Sequence, residues 1–263
     1  MKQRKNKRNL LIVSVLLLAL CLTGCGLFKS DTQKLKDLLE DKYGEEFGVE
    51  SYYYAGDMWA MCYPVSDPTL LFEVRTNDKV TFIGHDYYLQ TVVQRQVDEE
   101  LQPLVEQAFP GSFVSSDLSA TDYEGQTADK VSLESMIQHS NLLMENNSGR
   151  TYIMLNIFVN TSENSEENIE EEYAFIAEEI GGRVARGELP DTSIYLYFGD
   201  EKFVNDCRNI LSETTWSQND IYQSIKECPV MRIGYEDEGI PLNGSELTLQ
   251  KYIKDKSEVL YNG

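Results

Sequence analysis

Histidine is close to absent from the 263-residue chain: there are two, His85 in a Gly84-His85-Asp86 turn and His139 in a Gln138-His139-Ser140 stretch. Zinc centres and histidine-based nucleophile systems need a histidine with correctly spaced partners, and neither has one nearby in sequence. At the strand-to-helix junction expected near residue 86, Asp86 is read as a helix cap beside a surface histidine. Cysteine is sparse as well, at five residues. No Cys-x-x-Cys pair, glycine-rich phosphate loop, Walker lysine or G-x-S-x-G elbow occurs. Cys62 has no flanking basic residue to make it nucleophilic. The sequence therefore offers no catalytic set, no metal site and no cofactor motif.

Basic residues are also few once the first 24 positions are set aside. Those carry five of the 23 Lys and Arg and none of the 44 Asp and Glu, which leaves 18 basic against 44 acidic residues, a net charge of −26. That balance argues against nucleic acid and against an anionic bilayer surface as partners, since both attract basic patches. Solubility is its simplest consequence.

What is present begins at the N-terminus. Met1 to Arg8 hold the five basic side chains, and the 13 residues from Leu10 to Leu22 are apolar apart from Ser14. A membrane-spanning helix needs about 20 apolar residues. This run is shorter and closes on the small pair Thr23-Gly24, the layout of a secretory signal. Directly behind it, Leu22-Thr23-Gly24-Cys25 resembles the lipobox of bacterial lipoproteins. The resemblance covers about the first 25 residues and fits at every position. It implies a signal peptide over 1–24, a diacylglyceryl group on the Cys25 sulfur, and attachment at the outer, extracytoplasmic face of the cell membrane. Two acyl chains hold a protein stably where one holds it marginally, at roughly 0.8 kcal/mol per buried methylene.

Residues 25–30 form a short tether, so the folded body is expected to begin close to the membrane. Ser30 or Asp31 caps a helix with Leu35, Leu38, Leu39 and Tyr43 on one face, ended by Gly44. The pattern then becomes that of strands over Val49–Tyr54, Met58–Tyr63, Leu70–Thr76 and Lys79–Ile83, with turns at Gly56-Asp57 and Asn77-Asp78. Leu70, Phe72 and Val74 alternate with Leu71, Glu73 and Arg75, which predicts one buried sheet face and a helix over Asp86–Phe109 to cover it. Residues 111–130, rich in Ser, Thr, Asp and Gly, read as a connection with a short strand near Phe113 and Val114. Helices near Leu133–Glu145, Asn168–Ile180, Glu201–Leu211 and Gln218–Glu227 then alternate with strands Tyr152–Val159, Ser193–Phe198 and Val230–Tyr235. The fold class expected is α+β: helix, antiparallel meander and covering helix in the N-terminal half, followed by a smaller α/β layer. The subdomains are 31–115 and 116–263, with the option that both share one sheet.

Three constellations remain. Glu163, Glu166, Glu167, Glu170, Glu171 and Glu172 loosely echo a calcium loop starting at Asn160, but Ser165 stands where that loop needs glycine. They read better as the first turn of a helix, where negative charge meets the positive end of the dipole. Cys207 and Cys228 flank a helical segment and are the candidate disulfide in an oxidising compartment. The aromatic run Tyr52, Tyr53, Tyr54, Trp59 and Tyr63 is the most suggestive feature. On a hairpin, Tyr53 is expected inward and Tyr52 and Tyr54 outward, with either side open to Trp59; Tyr52, Tyr54 and Trp59 are the candidate binding surface. Together these readings favour a membrane-tethered, non-enzymatic interaction or accessory protein whose partner is an envelope protein or glycan. The alternatives are a lipid-anchored hydrolase with a carboxylate pair and a transporter-associated solute-binding lipoprotein.

Overall fold

In a computed structural model, residues 29–119, 128, 130–144, 151–164, 166–212 and 230–235 are described. The architecture is α+β: an N-terminal helix, an antiparallel four-stranded meander, a long helix, and then a second four-stranded sheet with its own helices. The strands form two separate sheets rather than one shared sheet. Two compact units divide between Asp86 and Tyr87, with Thr69–Phe72 counted in the second. This division falls earlier than residue 115 because the long helix is bonded to the strand that follows it.

The first unit opens with α1, Asp31–Tyr43. The Ser30 hydroxyl accepts the Gln33 amide at 3.2 Å, which satisfies one of the free N–H groups at the helix start. Gly44 closes the helix at φ +77°, a left-handed conformation that glycine adopts without penalty. Leu35, Leu39 and Tyr43 are buried on one stripe. The meander follows as β1 (Phe47–Ala55), β2 (Asp57–Pro64), β3 (Phe72–Thr76) and β4 (Ile83–Asp86), in that spatial order. Met58, Ala60, Cys62, Phe72, Val74 and Thr76 make the buried face, the alternation of a sheet with one wet side.

β4 starts at Ile83 rather than Lys79. The Asn77 side chain folds the preceding loop, its oxygen accepting the Thr81 amide at 2.8 Å and its nitrogen donating to the Thr81 hydroxyl at 2.9 Å. Val80 is buried in that loop at φ 51°. Asp86, read from sequence as a helix cap, ends β4 instead. Its side chain is 2% exposed and accepts the Tyr43 hydroxyl at 2.6 Å and the Lys42 ammonium at 2.8 Å. Asp86 thus ties the last turn of α1 to the far edge of the sheet. The next helix starts at Tyr88 with no side-chain cap.

The second unit holds α2 (Tyr88–Ala108), β5 (Phe113–Ser119), α3 (Leu133–Met144), β6 (Tyr152–Asn160), α4 (Glu166–Ala185), β7 (Asp191–Gly199), α5 (Glu201–Ser212) and β8 (Val230–Tyr235). Its sheet runs β5-β6-β7-β8. The pairs β5/β6 and β7/β8 are antiparallel, and β6/β7 is parallel across α4. β6 is apolar along most of its length and central, as its sequence requires. Phe158 on β6 stacks between Phe113 and Tyr197 at centroid distances of 4.6 and 5.2 Å. Val204 and Cys207 of α5 close this cluster. Gly199 lets α5 turn tightly off β7: a Cβ there would lie 2.7 Å from that of Phe203. The helix expected over Gln218–Glu227 lies outside the described residues.

Candidate functional site

The aromatic hairpin is built from β1 and β2, joined at Gly56, with Tyr52 opposite Ala60, Tyr53 opposite Trp59 and Tyr54 opposite Met58. β1 is the edge strand of its sheet, and six consecutive residues, Glu50–Ala55, are exposed. The register of β1 shifts between Val49 and Ser51, which sets Tyr52 and Tyr54 opposite the buried Ala60 and Met58 and turns Tyr53 to the other face, opposite Trp59. Tyr53, expected to pack inward, is therefore the most exposed of the three tyrosines at 59%, against 52% for Tyr52 and 47% for Tyr54.

Each face has its own geometry. Tyr53 stacks on Trp59 with centroids 6.4 Å apart and planes 5° from parallel. Arg75 lies over the other side of Trp59, 4.9 Å from its centroid, a cation–π contact. The Arg75 guanidinium donates twice to Asp57, at 2.8 and 2.6 Å, so Trp59 is half-buried between neighbours from both flanking strands. On the opposite face Tyr52 and Tyr54 meet edge to face at 6.2 Å. The Tyr54 hydroxyl donates to Asp31 at 2.6 Å, and this bond pushes the phenol up to about 12. Asp31 also accepts from Lys34 at 2.7 Å, and these two hydrogen bonds hold its carboxyl below the ordinary range. The hairpin tip is thus pinned to the first residue of α1. His85, exposed on β4, pairs across strands with Arg75, and burial raises the nearby Glu73 carboxyl.

Other residues singled out in the sequence fall elsewhere. Cys25 and Cys228 lie outside the described residues. Cys207 is a free, buried thiol raised by burial to about 11, and Cys62 is free and buried, raised the same way to about 12. Neither thiol is set up to ionise at neutral pH. The Asn160 side-chain oxygen accepts the Ser162 amide at 3.0 Å, so it serves the turn that leads toward α4. Among the described residues, no group of three or more His, Cys, Asp and Glu is placed to hold a metal ion, and no helix is long and apolar enough to cross a membrane.

Sequence reasoning missed a polar ladder in the second unit. β5 is an edge strand, and α2 lies along its open side. Gln102 accepts the Val114 amide at 3.1 Å and donates to the Ser112 carbonyl at 3.0 Å. Asp98 accepts the Ser116 amide at 2.6 Å, and the Ser116 hydroxyl donates to the Gln94 carbonyl at 3.1 Å. Helix side chains thereby satisfy an edge that would otherwise invite pairing with another strand. Burial pushes Asp98 up to about 7, opposed by the Ser116 hydrogen bonds, and burial alone raises Asp117. The charges that act on Asp98 are those of Glu99 and Arg95. The spacing 94, 98 and 102 on one helix stripe was the available signal.

No protein-family profile and no curated protein matches the chain. Among solved structures, the chain is similar to a DUF5037 family protein from Ruminococcus gnavus, with a TM-score of 0.64 and 18% identity over 86% of this chain and 98% of that one. A DUF1672 family protein from Staphylococcus aureus gives a TM-score of 0.36 and 12% identity over 64% of this chain and 79% of that one. At such identity the first likeness shows the fold, an α+β architecture spanning nearly the whole neighbour.

Proposed function

We propose that this protein is an extracytoplasmic lipoprotein, held at the outer face of the cell membrane by a diacylglyceryl group on Cys25, whose body acts as a non-enzymatic interaction or accessory protein of the envelope. The observation that carries the reading is Leu22-Thr23-Gly24-Cys25 placed directly behind a basic start and a 13-residue apolar run. The net charge of −26 beyond residue 24 supports lipid rather than surface charge as the means of attachment. The exposed Tyr52–Tyr54 strand supports a contact role, since aromatic side chains combine a broad apolar face with a polar tip.

The test is metabolic labelling with an alkyne-bearing fatty acid. Label is expected on the wild-type chain and on Cys21→Ser, and is expected to vanish in Cys25→Ser. Label persisting in Cys25→Ser, or absent from wild type, would remove the basis of the reading.

A further inference from the structure

Four of the seven exposed large apolar side chains among the described residues gather at one end of the first unit. Tyr52, Tyr53 and Tyr54 approach the β1–β2 tip. Phe82, 56% exposed, lies in the loop between β3 and β4. That loop is at the same end, because Arg75 near the end of β3 binds Asp57 at the start of β2, and the charge of Asp78 acts on Tyr54. The start of α1 is there too, fixed by the bond from Tyr54 to Asp31.

Asp31 is six residues beyond Cys25, a span of about 20 Å at full extension. A diacylglyceryl group on Cys25 therefore keeps this end of the unit, and not the Asp86 end of α1, next to the lipid. Charge favours the same orientation. Asp31 is paired with Lys34, Asp57 with Arg75 and Asp37 with Lys29. Asp78 is a further acid near the tip, while the chain beyond residue 24 as a whole carries −26. A body so charged is repelled by an anionic leaflet, and an aromatic end whose acids are mostly paired meets the bilayer at less cost.

We infer that the Tyr52–Tyr54 strand and Phe82 form a second membrane contact, seated in the headgroup region of the bilayer that holds the Cys25 lipid. Tyrosine suits this depth because its ring is apolar and its hydroxyl stays wet. The inference rests on the lipid-anchor reading and names what its aromatic surface touches. The bilayer contact orients the body, leaving the far end of the first unit directed away from the membrane.

Brominated lipid tests it. The full lipidated chain carrying Trp216→Phe, so that Trp59 is the remaining tryptophan, is reconstituted in phosphatidylcholine vesicles with bromine high on the acyl chains. Trp59 stacks on Tyr53 and reports on the tip. Its emission is expected to fall against unbrominated vesicles, as for an aromatic ring held at the interface. Tyr52→Ser, Tyr53→Ser and Tyr54→Ser combined are expected to abolish the quenching in a chain whose circular dichroism shows it still folded, and Phe82→Ser, which leaves the Tyr54–Asp31 bond in place, to weaken it. Absence of quenching in a chain shown by mass to be lipidated would overturn this inference and leave the anchor standing. So would unchanged quenching in the triple variant. Trp59 shielded from acrylamide in native membranes without bromolipid quenching would assign the surface to a protein partner instead.

Discussion

Phe158→Ala is expected to destabilise the second unit by about 3–5 kcal/mol, the range for deleting a buried aromatic ring from a close-packed core. Phe158 is 1% exposed on the central strand β6. It stacks on Phe113 from β5 and Tyr197 from β7, and its ring lies 6.3 Å from that of Phe203 on α5. One side chain therefore joins three strands and a helix, and alanine would leave a cavity bounded by rings too large to collapse into it. For a unit of this size the loss corresponds to a fall in melting temperature of roughly 6–20 °C. Thermal unfolding followed by circular dichroism measures it. Phe158→Leu, which keeps much of the volume, is expected to lose less than half as much.

Asp98→Asn is expected to stabilise the protein most at pH 8, less at pH 5, and to do little below about pH 3.8. The folded carboxyl titrates at about 7 against 3.8 for the free group. A raised folded value means that the proton is bound more tightly in the folded state. Its contribution to stability is complete below about pH 3.8 and is lost as pH rises through about 7. At pH 8 the chain folds around a charged, largely buried carboxylate. Roughly three pKa units set a ceiling near ~4 kcal/mol, and relaxation around the charge reduces this to about 2–4 kcal/mol. Asparagine keeps an oxygen for the Ser116 amide and carries no charge. Melting temperatures of both proteins across pH 3.5–8 should draw together toward the acid end and separate toward the alkaline end. An asparagine variant weaker than wild type by the same margin at every pH would contradict the assignment.

How far the fold was legible in the sequence can be judged element by element. Local signals held where one residue decides one conformation: Ser30 and Gly44 bound α1, and the unbroken apolar run from Tyr152 marks a central strand. The Leu70, Phe72 and Val74 alternation holds as well, with all three buried. Signals failed where the deciding partner is distant in sequence. Asp86 looks like a cap because nothing local reveals Tyr43 and Lys42 waiting 43 and 44 residues away. The strand expected near Phe113 and Val114 runs on to Ser119, through residues that look like a polar connection because their edge is satisfied by Gln102 and Asp98 rather than by another strand. At the candidate site, the sequence identified the aromatic residues but placed Tyr53 inward, since simple alternation does not foresee the register shift between Val49 and Ser51. The pinning of Tyr54 to Asp31, which brings the aromatic end to the tether, requires the three-dimensional structure.

The central claim is attachment through Cys25, and the mass of the mature N-terminal peptide tests it most directly. A peptide that begins at Cys25 and carries a diacylglyceryl group is the result this account predicts. A mature chain that begins at an unmodified residue, or retains the apolar run from Leu10 to Leu22, would contradict it.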